Sequence, residues 1–196
     1  MAFQPRPAPH EMNLLFLDTE TGGLSAVDHD IVEIAVILTD PTGQTVIKEY
    51  CSKVVPEKPV DPVAARINGY SAEKWAHDAV PINQAMITVL GMARDTMMAA
   101  HNAPFDKAFV DAAISKHKMR WPGSYHSVDT VGLAMPLLRE GLVPNIKLVT
   151  LTAFFNIPHQ EAHSAMGDVR ACREVYLNLM SMYRPGVLAY VANKKA

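Results

Sequence analysis

The sequence predicts a mixed α/β fold: a five-stranded sheet whose first three strands form an antiparallel meander, followed by alternating helix and strand, with helices on both faces. Three observations carry this. Leu14–Leu17 is a short apolar run that stops at an acid, Asp18, as a central strand buried on both faces does. Two further strand-like segments follow it, separated only by turn residues. Past Pro81 the pattern becomes helical stretches separated by short apolar strands.

Taken in order, Gly22 and Gly23 break the chain after the first strand. Ile31–Thr39 reads as the second strand, and Thr45–Cys51 as the third, after a Pro41-Thr42-Gly43 turn. A Pro-rich stretch from Pro56 to Pro62 leads into a helical segment over Ala64–Trp75. Pro81 then serves as the first-turn proline of a helix through Arg94. Met97–Ala100 is a short buried strand, and Ala103–Lys116 a helix with Asn102 as its N-cap. Tyr125–Val128 is the fifth strand, with helical stretches at Val131–Arg139 and Lys147–Phe155. The last helix is expected over Ser164–Met182, stopping before Pro185. One domain, residues 13–183, results, with Met1–Met12 and Arg184–Ala196 expected to be mobile tails.

The bulk numbers fit a single globular unit. Of 196 residues, 49% are hydrophobic and 19% charged, which argues against disorder. The net charge is −2, whereas a protein that held long nucleic acid mainly by its field would be basic. Any grip on a polyanion must therefore be local, with bound metal supplying the positive charge. Cys51 and Cys172 make no disulfide framework. No apolar run approaches the ~20 residues that span a bilayer. Met1–Met12 lacks the apolar core of a signal peptide, so a cytoplasmic location with no membrane partner is expected.

Three acidic elements stand where strands or loops meet helices. Asp18-Thr19-Glu20 ends the first strand, and the two acids share a face because strand side chains alternate. Two such carboxylates repel unless a cation sits between them, although a hydrated turn pair reads the same way. His101-Asn102-Ala103-Pro104-Phe105-Asp106 puts Asp106 in the first turn of a helix, where the helix dipole alone would favour it. His163-Ser164-Ala165-Met166-Gly167-Asp168 opens the last helix. Five residues is a poor same-face spacing, so His163 belongs to the lead-in segment. Phe105 reads as a packing residue, and Glu33 and Asp129 as structural acids on strands near these elements.

Together, in this order and at these distances, the three elements resemble the DEDDh (DnaQ-like) 3′–5′ exonucleases, the family of ribonuclease T and the polymerase III proofreading subunit. The resemblance runs from Leu14 to Tyr176, and Ile31-Val32-Glu33-Ile34-Ala35, Ile67-Asn68-Gly69-Tyr70 and Val128-Asp129-Thr130 extend it. Gly22 departs from the family's common threonine, and Asn68 from its frequent histidine.

The resemblance implies a ribonuclease H-like fold and hydrolysis of single-stranded DNA or RNA 3′ ends to nucleoside 5′-monophosphates. It implies two Mg²⁺ or Mn²⁺ ions, with Asp18 bridging both, Glu20 and Asp168 completing the first site, and Asp106 acting largely through water. Thr21, Leu24, Asn68, His101 and Asn102 are then expected around the substrate. Leu24 stands where the family carries its wedge between the last two bases, and equally reads as a turn-packing leucine.

His163 is the expected general base, since an imidazole with a pKa of ~6.5 can take a proton near neutral pH. His101 ranks second because it ends a buried strand. Lys116-His117-Lys118-Met119-Arg120-Trp121 reads either as a phosphate contact or as a solvated helix end. Whether the chain works alone, as a homodimer or docked on a polymerase stays open, as does DNA against RNA. The rival aspartyl-phosphate phosphatases need Asp-x-Asp, and here the second acid is Glu20. A non-catalytic module of the same fold would have lost acids or base, and all five are present.

Overall fold

Alternation along β1 (Asn13–Thr21) sorts its side chains onto two faces. Leu15 and Leu17 face one helical layer, Leu14 and Phe16 the other, and all four are buried. The same alternation puts Asp18 and Glu20 on the Phe16 side and Thr19 on the Leu17 side. The computed structural model describes residues 6–159 and 163–195.

The sheet has five strands in the order β3-β2-β1-β4-β5. β2 (Ile31–Thr39) lies antiparallel to β1, and β3 (Val46–Lys53) antiparallel to β2, completing the meander. β4 (Thr96–Ala100) runs parallel to β1, and β5 (Ser127–Asp129) parallel to β4. The chain reaches β4 through α1 (Pro62–Asn68), α2 (Ala72–Trp75) and α3 (Ile82–Met92), and β5 through α4 (Ala103–Lys116).

α3 and α4 cover one face, where Met86, Val89, Phe109 and Val110 pack against Leu15 and Leu17. After α5 (Thr130–Arg139) and α6 (Leu148–Phe154), α7 (Ala165–Lys195) covers the other, with Val169, Cys172 and Tyr176 against Leu14, Phe16 and Ile37. A third cluster, including Ala134, Leu151, Val175 and Leu179, ties α5 and α6 to α7. Among the described residues, no helix is long and apolar enough to cross a membrane.

Several boundaries correct the sequence reading. β1 runs to Thr21, past Asp18 where its apolar run ends, so the strand carries both acids, as their shared face requires. The helical segment expected over Ala64–Trp75 is two helices, broken where Gly69 takes the left-handed conformation (φ 69) that ends α1. Asn102 is not a side-chain N-cap. A cap needs an extended backbone, whereas Asn102 is left-handed (φ 66), and its backbone N–H donates to Asp129 Oδ1 at 3.0 Å.

Neither terminal segment is simply a tail. Met12 is buried, and the Arg6 guanidinium lies 3.4 Å from the Pro122 carbonyl, to which it donates. α7 runs through Pro185 to Lys195 instead of stopping before the proline. Proline removes one helical N–H, but the bond it forfeits is to the carbonyl of exposed Ser181, where water can replace it.

Candidate active site

The site lies where β1 meets the start of α7. β1 supplies Asp18 and Glu20, and α7 supplies Asp168 from its first turn. The ligand oxygens of these three carboxylates lie within 4.8 Å of one another, and all three residues are half-buried. Glu20 is paired in register with Glu33 of β2, and the ladder slips immediately after it. A bulge of this kind re-aims side chains next to sites.

Burial and mutual repulsion shape the acids. Burial, then the charges of Asp106, Asp168, Glu20 and Glu33, push the Asp18 carboxyl well above the usual carboxylate range. Glu20 is pushed up to about 7 by burial, with Asp168, Glu33 and Asp106 adding to it. Each causes the same problem: an ionised carboxylate there lacks both water and a counter-charge.

Asp106 is placed differently. It sits in the first turn of α4, almost wholly buried, and its Oδ1 accepts from both the backbone N–H (2.9 Å) and the hydroxyl (2.8 Å) of Thr19. Because Thr19 points away from Asp18 and Glu20, Asp106 approaches the β1 end from the opposite face and stands outside the three-carboxylate set. Burial raises its carboxyl to about 7 against those two bonds, which pull it down.

The histidines divide. His163 is exposed and left-handed (φ 67), and its backbone N–H lies 3.3 Å from Asp168 Oδ2. His159, which the sequence reading leaves out of the site, lies against Asp168, with its Nε2 2.5 Å from Oδ1. His101 Nδ1 lies 2.9 Å from the Thr130 hydroxyl, and burial lowers the His101 pKa while the nearby Asp129 charge opposes this. That arrangement suits the fixed imidazole expected at the end of β4. Glu33, read as structural, stands opposite Glu20 and adds charge to the cluster. Its signal in the sequence was the meander itself, which brings the second strand's acid beside the first's.

A cleft of about 580 Å³ opens beside Glu20 and is lined in part by Leu24, His29, Asn68 and Phe105. Leu24 is 88% exposed, so it does not pack in a turn. A Cβ at Gly23 would stand 2.5 Å from the His29 ring, so any other residue there would have to displace that ring. Asn68 and Thr21 are already engaged. Asn68 Nδ2 donates to the Thr21 carbonyl at 3.0 Å, and the Thr21 hydroxyl donates to the Gly23 carbonyl. They brace the cleft wall. Asn102 is exposed at the start of α4, and Asp129 accepts from both Asn102 and Val131. Lys116 is ion-paired with Glu57 (2.7 Å), ten residues and about 15 Å along α4 from Asp106, which fits the helix-end reading of the basic stretch.

Residues 15–176 match the family model for exonucleases of the ribonuclease T type. The chain belongs to the exonuclease family. This exonuclease-family chain is 27% identical over 169 residues to the DNA polymerase III subunit epsilon of Treponema pallidum, covering 84% of its own length and 74% of that protein. Against the PolC-type DNA polymerase III of Caldanaerobacter subterraneus subsp. tengcongensis it is 26% identical over 170 residues, 87% of the chain but 12% of the polymerase. In structure it resembles E. coli exonuclease I solved with a dT13 oligonucleotide, with a TM-score of 0.78 at 20% identity. That likeness covers 91% of this chain and 43% of the other, so the exonuclease-family chain shares the fold over less than half of exonuclease I.

Proposed function

We propose that the chain is a 3′–5′ exonuclease that hydrolyses single-stranded nucleic acid ends to nucleoside 5′-monophosphates, using two divalent cations, Mg²⁺ or Mn²⁺. One observation carries the reading: three carboxylates from opposite ends of the domain converge within 4.8 Å beside a cleft of about 580 Å³. A cleft of that size suits a nucleotide. Like charges gathered in a half-buried site are costly unless a cation joins them, and an all-oxygen donor set suits Mg²⁺ or Mn²⁺. Asp18, Glu20 and Asp168 would hold the ions, with Asp106 contributing from the other face of β1. Bound there, the cations stabilise charge on the attacking and leaving oxygens of an in-line displacement.

The chain's own groups supply the rest. His163, exposed at the lead-in to α7, takes the proton from the attacking water. Glu20 accepts from the terminal 3′-OH, which restricts cleavage to ends. Leu24 projects at the mouth of the cleft and separates the last two bases, while Thr21, Asn68, His101 and Asn102 frame the substrate. Single-stranded DNA is the favoured substrate, since the exonuclease I neighbours were solved with dT13 and dA16 oligonucleotides. A polymerase partner is a second reading, supported by the polymerase III names of the sequence relatives.

Matched DNA and RNA oligonucleotides labelled at the 5′ end test this directly. With Mg²⁺ the DNA should shorten from its 3′ end and stall at a 3′-phosphate. Asp18→Ala, Glu20→Ala, Asp106→Ala and Asp168→Ala should each abolish the activity while the protein stays folded. Products that carry 3′-phosphates, or rapid cutting of a circular strand, would sink the proposal. Faster loss of the RNA would reverse the substrate preference.

A further inference from the structure

Asp168 meets the other two acids only if something holds it there. It faces Asp18 and Glu20, with Glu33 beyond, and in a metal-free site every one of those charges repels it. Among the described residues before α7, two groups face the Asp168 carboxylate. The weaker is the His163 backbone N–H, 3.3 Å from Oδ2. The stronger is His159 Nε2, 2.5 Å from Oδ1. A carboxylate oxygen accepts, so the ring nitrogen facing it carries the proton.

His159 is placed for this one contact. Its side chain is 9% exposed, and its other ring nitrogen, Nδ1, is buried with no hydrogen-bond partner among the described residues. A histidine serving a general polar network would use both nitrogens. Among the described residues, this one uses only the nitrogen that meets Asp168.

We propose that His159 is a positioning residue for the metal site: its Nε2–H fixes the Asp168 carboxylate so that it converges with Asp18 and Glu20. The proposal rests on the reading of those acids as metal ligands. Hydrogen-bond donors behind ligating groups orient them, and losing one such partner weakens metal binding by about 10–100-fold. His159 does not move protons in the reaction, because its one engaged nitrogen is occupied by Asp168. That work stays with His163.

Calorimetric titration of Mn²⁺ into the full chain tests this without any nuclease assay. His159→Phe keeps a ring in the same packing and removes the donor, so it should raise the Mn²⁺ Kd by about 10–100-fold. His159→Gln keeps an N–H at similar reach and should bind close to wild type. Melting temperatures of both variants identify any that fail to fold, and the Gln variant then carries the comparison against Asp168→Ala. In nuclease assays, His159→Phe should need more Mn²⁺ yet recover its kcat at saturation. An unchanged Kd in His159→Phe overturns the proposal, as does a Gln variant as weak as the Phe variant. A kcat loss that survives saturating Mn²⁺ and removes the acidic limb of the pH profile also overturns it, by making His159 the base. Asp168→Ala separates the two levels: if it binds Mn²⁺ undiminished, the metal-site reading itself fails.

Discussion

At the scale of single residues, the strand acids were legible because two rules act on few atoms. Alternation in a strand forces Asp18 and Glu20 onto one face, and the family pattern adds Asp106 and Asp168. His159 was not legible, because its contact with Asp168, nine residues on, is tertiary, and no periodicity encodes it. The residue-scale prediction concerns His163. It lies exposed at the lead-in to α7 with its own N–H near Asp168, so its imidazole is free to reach an attacking water. His163→Ala should lower kcat by about 10²–10⁴-fold, the usual worth of a positioned base, and should leave the Mn²⁺ Kd nearly unchanged. Single-turnover rates against pH check this: activity falls as the base becomes protonated, so the acidic limb should vanish in the variant. If the limb persists there and vanishes in His101→Ala, the base is His101.

At the scale of elements, β1, β2 and β4 were read closely because apolar residues run through them, whereas β5, expected at Tyr125–Val128, is Ser127–Asp129 with no apolar run to fix it. The misreadings lie where local chemistry was ambiguous. Gly69 could have been tolerated inside a helix but ends α1, and Asn102 could have capped α4 but turns left-handed instead. Pro185 looked like a stop for α7, yet the helix has already left the core there. Leu179 is fully buried, whereas residues 184–191 are exposed. This division predicts opposite outcomes for two changes. Leu179→Ala removes a side chain packed between α5, α6 and α7 and should cost about 2–5 kcal/mol. At roughly 2–4 °C per kcal/mol for a chain of this size, thermal melting would show it clearly. Truncation after Arg184 deletes no described side chain that is buried and should leave the melting temperature nearly unchanged. A large drop on truncation would mean that the end of α7 is covered by something in solution.

At the scale of the whole molecule, the fold carries a standing electrostatic cost at its site, and pH exposes it. Glu20 and Asp106 have carboxyl pKa values pushed up to about 7, from ordinary values of 4.5 and 3.8, and Asp18 is raised with them. A raised folded pKa means the native state holds protons that the unfolded chain has lost. Stability from these groups is therefore complete below about pH 4 and declines as pH rises through about 7. His101 works in the opposite sense, because burial lowers its pKa from 6.5, so it costs stability only as pH falls below that value. Asp30 and Asp40, held low by hydrogen bonds, act only below their ordinary 3.8. Between pH 4.5 and 7.5 the three raised acids outweigh the single histidine, and the metal-free protein should melt at falling temperature across that range. For Glu20 alone the shift corresponds to on the order of 3 kcal/mol. Glu20→Gln should therefore melt higher than wild type at pH 7.5 without metal, and the two should converge near pH 4.5. Mn²⁺ at a thousandfold excess over Kd should reverse the order by stabilising the wild type far more than the variant, since binding at that excess contributes about 4.1 kcal/mol. A metal-free melting temperature that climbs steadily from pH 5 to pH 7.5 would mean that the acids are not gathered as the structure has them.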